Sequence, residues 1–314
     1  MGTPEFAVDA LDILFRNNYN IVGVITVPDK PAGRGLEVQQ SDVKKYALSK
    51  GLRVLQPEKL KDEGFLNELR SLHADLQIVV AFRMLPEAVW QMPPLGTFNL
   101  HASLLPQYRG AAPINRAVMN GEKETGVTTF FLRHEIDTGS ILFRETVPIG
   151  ENDSAGELHD KLKEVGAGLV LKTVRAIESH EAVPLPQEKF MAPGELLKNA
   201  PKIFKDDCRI NWNAPVDVIH NFIRGLSPYP AAFTQFTNAE GKNIQVKIFR
   251  AEKQPYSHHE GPGRIFTDGK ALLKISAADG YLRIADLQLA GKKRMPVEEF
   301  LRGFRFHPGL TVLG

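Results

Sequence analysis

The chain has 314 residues, 43% hydrophobic and 24% charged, with a formal net charge of +2, which places it among globular proteins with room for about two cores. A single cysteine, Cys208, excludes an internal disulfide framework and a cysteine-rich zinc site and fits a reducing compartment. No apolar run approaches the roughly 20 residues that span a bilayer, and Phe6 stands where myristoylation favours Ser or Thr.

From the start to about residue 150, short β-rich runs alternate with amphipathic helical stretches, the signature of an α/β fold with a mostly parallel sheet. Residues 5 to 16, 41 to 49 and 112 to 119 read as helices. Ile21 to Val27 and Leu76 to Phe82 read as buried strands, being almost continuous in Val and Ile. Phe98 to Leu100, Val127 to Leu132 and Ile141 to Val147 add further strands. A long helix over Ser154 to Ile177 opens with Ser154 and Glu157 at capping-box spacing. The opening Gly2-Thr3-Pro4 reads as the loop after a first strand that is itself missing. A parallel sheet lacking a central strand leaves a slot with unpaired backbone groups, so this reading expects Met1 to be internal to a longer chain.

Ser179 to Ala200, with Pro184, Pro186, Pro193 and Gly194, breaks the periodicity. The expected domains are therefore a first domain over 1–180, a linker over 181–204 and a second domain over 205–314. That second domain holds a helix over Val216 to Gly225 and then short strands: Ala232 to Phe236, Ile244 to Arg250, Arg264 to Phe266, Ala271 to Ser276 and Tyr281 to Leu289. This pattern suggests a small β-barrel of the oligonucleotide-binding type. Residues 207 to 314 carry 15 Lys plus Arg against 10 Asp plus Glu, while residues 1 to 206 carry 24 against 27. A basic carboxy-terminal third suits a phosphate-rich partner, although ordinary solvated lysines explain the charge alone equally well.

Asn99 and His101 lie two apart at the end of a predicted strand, so both side chains leave the same face at the edge where such sheets bind ligands. Ser103-Leu104-Leu105-Pro106 and Arg109-Gly110-Ala111-Ala112-Pro113 follow in a loop stiffened by proline. Asp137-Thr138-Gly139 supplies an aspartate able to orient or charge a histidine. An aspartic protease also uses Asp-Thr-Gly, but it needs two such motifs and this chain has one. His134 and the pair His258-His259 lack zinc-ligand spacing, so no metal is expected.

Gly2-Thr3-Pro4-Glu5-Phe6-Ala7, Asp29-Lys30-Pro31-Ala32-Gly33-Arg34-Gly35, Asn99 to Pro106, Tyr108 to Ile114, Asp137-Thr138-Gly139 and Ala290 to Met295 occur in this order. In them the chain closely resembles the methionyl-tRNA formyltransferases, one branch of the folate-dependent formyltransferases. The resemblance implies a Rossmann-like formyltransferase domain followed by a tRNA-binding barrel. It implies transfer of formyl from 10-formyltetrahydrofolate to the amino group of methionyl-initiator tRNA, in the cytoplasm, by a metal-free monomer. Asn99, His101 and Asp137 match the catalytic set, and Ser103, Leu104, Leu105 and Pro106 the folate-binding segment. Lys30 and Arg34 fall in the loop that reaches the tRNA acceptor end, while Lys292, Lys293 and Arg294 are candidate backbone contacts. In the chemistry so implied, Asn99 and a charged His101 donate hydrogen bonds to the oxyanion formed when the amine attacks the formyl carbon. Two departures stand out: Leu36-Glu37 where lysines are usual, and Ala81-Phe82-Arg83 where Ala-Tyr-Gly is usual. The rival readings are a formyltransferase for a nucleotide or amino sugar, which the basic second domain disfavours, and an inactive RNA-binding protein, which retention of all three polar residues disfavours.

Overall fold

The computed structural model describes residues 1–32, 37–256 and 259–307. The chain forms two compact units, one of Met1–Gly110, Glu124–Pro148 and His159–Asn199, the other of Ala111–Lys123, Ile149–Leu158 and Ala200–Gly314. Its elements run α1 (Phe6–Arg16), β1 (Val24–Ile25), β2 (Lys30–Ala32), β3 (Glu37–Gln39), α2 (Asp42–Ser49), β4 (Val54–Leu55), α3 (Glu63–Ser71), β5 (Gln77–Val80), α4 (Glu87–Trp90), β6 (Thr97–His101) and β7 (Arg109–Gly110). There follow α5 (Pro113–Met119), β8 (Glu124–Phe131), β9 (Ile141–Pro148), α6 (Ala155–Glu178), β10 (Asn199–Ala200), α7 (Val216–Leu226) and β11 (Ala232–Thr237). The last are β12 (Asn243–Pro255), β13 (Ile265–Thr267), β14 (Leu273–Ser276), β15 (Gly280–Leu289), β16 (Met295–Pro296) and α8 (Val297–Gly303).

In the first unit β1 pairs with β4 and β5 with β6, both in parallel, while β8 and β9 extend the sheet in antiparallel fashion. The parallel strands are short and apolar, and helices cover them, as expected where both faces of a strand are buried. Helix α1 buries Phe6, Ala7, Ala10 and Leu14, a one-sided spacing. The Ser41 and Asp62 side chains accept the Lys44 and Phe65 amides at the starts of α2 and α3. Ile25, Leu55, Phe65, Leu69, Val79 and Val89 form a core cluster in this unit.

Between β1 and β5 the backbone of Met1 and Gly2 stands in the position of a strand. The Gly2 amide donates to Ile25 O at 3.1 Å, the Val80 amide donates to Met1 O at 2.9 Å, and the Met1 amine donates to Ile78 O at 2.6 Å. Burial pushes that amine down to about 5. Beside it lies a cavity of about 530 Å³ whose lining includes Ile21, Val22, Gly23, Leu72, Leu76 and Ile78. The run Ile21 to Val27, expected as one strand, has ladder partners over Val24–Ile25 alone, and its first residues border this cavity.

In the second unit β11, β12, β15, β14 and β13 form an antiparallel sheet in that order, with β16 added beside β15. Among the described residues β13 and β11 do not pair, so the sheet is a curled half-barrel. Its register slips around Arg250, where a bulge sharpens the twist. Helix α7 packs on β12, and Ile219, Ile223, Val246, Ile248 and Leu287 lie in one buried cluster. Helix α5 meets α7 at Gly225, where an added Cβ would lie 2.5 Å from Met119 Cγ. That close approach ties residues 111–123 to the carboxy-terminal unit despite their place in the chain. The expected capping box is present: Ser154 Oγ accepts the Glu157 amide at 3.2 Å, and Glu157 Oε2 accepts the Ser154 amide at 2.8 Å.

His220 on α7 is buried, and burial, then the nearby Arg224 and Lys253, lower its pKa against the opposing pull of Asp217 and Glu151. The unfolded chain therefore binds a proton near pH 6.5 that the folded chain resists, and this histidine's stabilisation is lost as the pH falls below that value. Thermal unfolding between pH 7.5 and 5.5 should show a steeper loss of stability in the parent than in His220→Gln.

Candidate active site

Strand β6 lies between β5 and β8, and its alternation buries Phe98 and Leu100 while Asn99 and His101 share the other face. His101 is 7% exposed. Its Nε2 lies 2.9 Å from Tyr108 O, and since a carbonyl only accepts, Nε2 carries the proton. Its Nδ1 lies 3.9 Å from Asp137 Oδ2, an ion-pair distance longer than a hydrogen bond. The same carboxylate oxygen accepts the Gly110 amide at 3.0 Å. Asn99 is half-buried, and among the described residues its amide has no hydrogen-bond partner. The structure thus brings Asn99, His101 and Asp137 to one unit, with His101 hydrogen-bonded at Nε2 and facing a carboxylate at Nδ1.

The loops that achieve this have backbones that few side chains adopt. Tyr108 has φ 61° and Asp137 φ 54°, left-handed values that need support from the surroundings. Gly139 is required by a close approach: an added Cβ would lie 1.6 Å from Phe131 O. Support for both loops comes from Gln187, which sequence reading assigned to the linker and did not single out. Gln187 is 2% exposed. Its Nε2 donates to Asp137 O at 2.8 Å and Gly139 O at 2.9 Å, while its Oε1 accepts Arg109 Nη2 at 2.6 Å and Nε at 3.1 Å. Only its place in a proline-flanked irregular segment marked it in the sequence.

The boundaries expected for the domains therefore differ from the compact units found. Residues 181–199 belong to the first unit, fastened by the Ile141–Leu185 bridge, by Gln187 and by the Tyr108 amide donating to Lys198 O at 2.6 Å. The prolines of this segment exclude a long helix or strand; a 3-10 turn over Gln187–Phe190 and isolated bridges remain, and other backbone polar groups pair with the site loops.

Of the expected folate segment, Ser103, Leu105 and Pro106 are buried, and Leu104 is half-buried. Ser103 Oγ donates to Gln107 O, and Thr128 Oγ1 links Ser103 O to the Leu105 amide. These side chains shape the loop. Arg83, one of the departures noted, donates to the carbonyls of Pro57 and Glu58. Its guanidinium also stands 5.4 Å from the Phe82 ring centre.

Lys30 is exposed at the base of the β2–β3 hairpin, and Arg34 and Leu36 lie outside the described residues. That base is clamped: Asp29 Oδ2 pairs with Lys44 Nζ at 2.5 Å, Asp29 Oδ1 accepts Gln56 Nε2 at 2.7 Å, and the Thr26 and Ser41 hydroxyls lie 2.7 Å apart. The Lys44 and Gln56 bonds hold the Asp29 carboxyl below its usual range. In the other unit Lys292 and Lys293 are exposed, whereas Arg294 is engaged by Asp286 at 2.5 Å and by the Phe249 ring, whose centre is 4.5 Å away. His134 and His259 are exposed, and His258 lies outside the described residues. Among the described residues no cluster of His, Cys, Asp and Glu could hold a metal ion.

The contact at Gly139 predicts that Gly139→Ala destabilises the chain at the upper end of the about 1–3 kcal/mol that overpacking costs. Gly168, in α6 with nothing within 4 Å of an added Cβ, is the control. Gly168→Ala should stabilise by about 0.8–1 kcal/mol through helix propensity, and thermal or denaturant unfolding measures both.

Residues 1–174 match the family model for formyl transferase, and residues 202–305 match that for the formyl transferase C-terminal domain. Methionyl-tRNA formyltransferase of Bacteroides fragilis is 59% identical over 304 residues, spanning 97% of this chain and 94% of that protein. Its counterpart in Parabacteroides distasonis is 59% identical over 313 residues, spanning 99% and 97%. Among solved structures, the N-formyltransferase of Helicobacter canadensis in complex with folinic acid and dTDP-3-aminofucose aligns with TM-score 0.62 at 21% identity, over 90% of this chain and 96% of that one. The chain spans nearly the whole of these relatives, and it belongs to the formyltransferase family.

Proposed function

We propose that this chain transfers the formyl group of 10-formyltetrahydrofolate to the α-amino group of methionyl-initiator tRNA, the reaction that prepares the initiator for cytoplasmic translation. The observation that carries it is the grouping of Asn99, His101 and Asp137, in a chain 59% identical to methionyl-tRNA formyltransferases along almost its full length. Support for a folate donor comes from Leu104 and Phe82, half-buried side chains following β6 and β5, since a flat ring system needs apolar contact beside its hydrogen-bonding edge.

Attack of the amine on the formyl carbon places negative charge on the formyl oxygen and positive charge on the nitrogen. Asn99, with its amide free among the described residues, donates to the developing oxyanion without first breaking another bond. His101 has Nε2–H committed to Tyr108 O, which leaves Nδ1 for the proton. The 3.9 Å between Nδ1 and the Asp137 carboxylate exceeds a hydrogen bond, and a water or the amine itself closes that span. This division of labour differs from the sequence expectation, in which His101 also donated to the oxyanion. Asn99 takes that role, and His101 with Asp137 accepts the proton leaving the amine; collapse of the tetrahedral carbon then breaks its bond to N10 of the folate, and the imidazolium returns the proton to that nitrogen. For the macromolecular acceptor, the exposed Lys30, Lys292 and Lys293 supply phosphate contacts, together with Arg34, which lies outside the described residues. Arg294, neutralised by Asp286, contributes less.

Formyl transfer measured with methionyl-tRNA, free methionine, glycinamide ribonucleotide and an amino sugar nucleotide should occur with methionyl-tRNA alone. Transfer to another acceptor retains the mechanism and overturns the substrate. His101→Ala should lower kcat by about 100-fold or more in a chain that still folds, as far-UV circular dichroism checks. Arg34→Ala and Lys30→Ala should each raise KM for methionyl-tRNA without changing KM for the formyl donor. That difference should shrink as salt rises, because phosphate contacts release counterions.

A further inference from the structure

We infer that Gln187 is a positioning residue for this reaction, acting on His101 through Asp137 and Arg109. The inference rests on the proposed function and on a closed ring of contacts. His101 is gripped by the Tyr108 carbonyl at Nε2 and faced by the Asp137 carboxylate at Nδ1. Tyr108 and Asp137 stand on separate loops, both in left-handed conformation, and nothing in their local sequence sets the distance between the loops. Two groups do: the Gly110 amide donates to Asp137 Oδ2, and the Gln187 amide joins the backbones, its Nε2 holding the Asp137 and Gly139 carbonyls and its Oε1 the Arg109 guanidinium, one residue from each of Tyr108 and Gly110. The orientation is unambiguous, because carbonyls only accept and guanidinium only donates. Both amide protons and both lone pairs are used, in a side chain 2% exposed.

No other side chain of this size donates twice on one side and accepts twice on the other. Glutamate retains the Arg109 contact and loses both donations to the Asp137 loop. Leucine loses all four bonds and leaves two carbonyls and a guanidinium without partners. In either variant the backbone of the Asp137 loop loses both of its bonds to residue 187, leaving the Gly110 amide as the remaining tie at the carboxylate, and the carboxylate shifts relative to Nδ1. The fault then lies in proton handling, with substrate binding retained.

The test begins with formyl transfer from 10-formyltetrahydrofolate to methionyl-tRNA by the parent chain; absence of transfer there rejects the proposed function before Gln187 is at issue. With parent activity in hand, kcat, both KM values and the kcat–pH profile are measured for Gln187→Leu and Gln187→Glu, alone and combined with Asp137→Asn. The expectation is a kcat lower by about 30- to 100-fold, KM values within about twofold of the parent, and a pH profile displaced as in Asp137→Asn. In the Asp137→Asn background the further loss should be under about threefold, because residues acting as a unit are not additive. Gln187→Glu, which retains the Arg109 bridge, supplies the same comparison if Gln187→Leu fails to fold. An unchanged kcat, an equal rise in both KM values, or losses that multiply fully with Asp137→Asn would each overturn the inference.

Discussion

A buried imidazole with each nitrogen directed to a different loop is the constraint on which this site depends. His101 leaves the end of β6 into a nearly closed environment, where an unsupported ring would settle on whatever polar group lay closest. The Tyr108 carbonyl fixes its tautomer by accepting from Nε2, and Asp137 faces Nδ1 without quite bonding to it. In the proposed mechanism this 3.9 Å gap is where the proton from the reacting amine is received.

The backbone around this ring is irregular because it has to be. Two residues with positive φ, a glycine pressed against the Phe131 carbonyl and a segment rich in proline surround the histidine. Each departs from regular structure, and each leaves backbone groups that a helix or strand would have paired. These groups pair with one another. Lys198 accepts from Tyr108, Leu185 pairs with Ile141, and the Gln187 side chain bridges the loops of Arg109 and Asp137. A segment with the composition of a linker is therefore part of the site's wall.

The charges divide by function in a similar way. Residues engaged in fixed ion pairs, such as Lys44 with Asp29 and Arg294 with Asp286, set the shape of a hairpin and of a strand turn. Lys30, Lys292 and Lys293 stay exposed, and an exposed cation of this kind can exchange counterions for phosphate. A count of basic residues does not separate these groups, since an ion-paired arginine and a solvated lysine read alike in the sequence.

The alternation of apolar runs with amphipathic stretches determined the α/β character of the first unit and the β-rich second one. The spacing of Asn99 and His101 determined that both leave one face of a strand. These are properties of period and short range, carried by neighbouring residues. The capping box at Ser154 was legible for the same reason. Three matters waited for the tertiary structure: which residues enclose His101, that residues 111–123 join the carboxy-terminal unit, and that Gln187 belongs to the first one. Each depends on groups far apart in the chain meeting at hydrogen-bond or van der Waals distance. Such meetings follow from close packing of the whole chain, of which the local pattern of a segment carries no record.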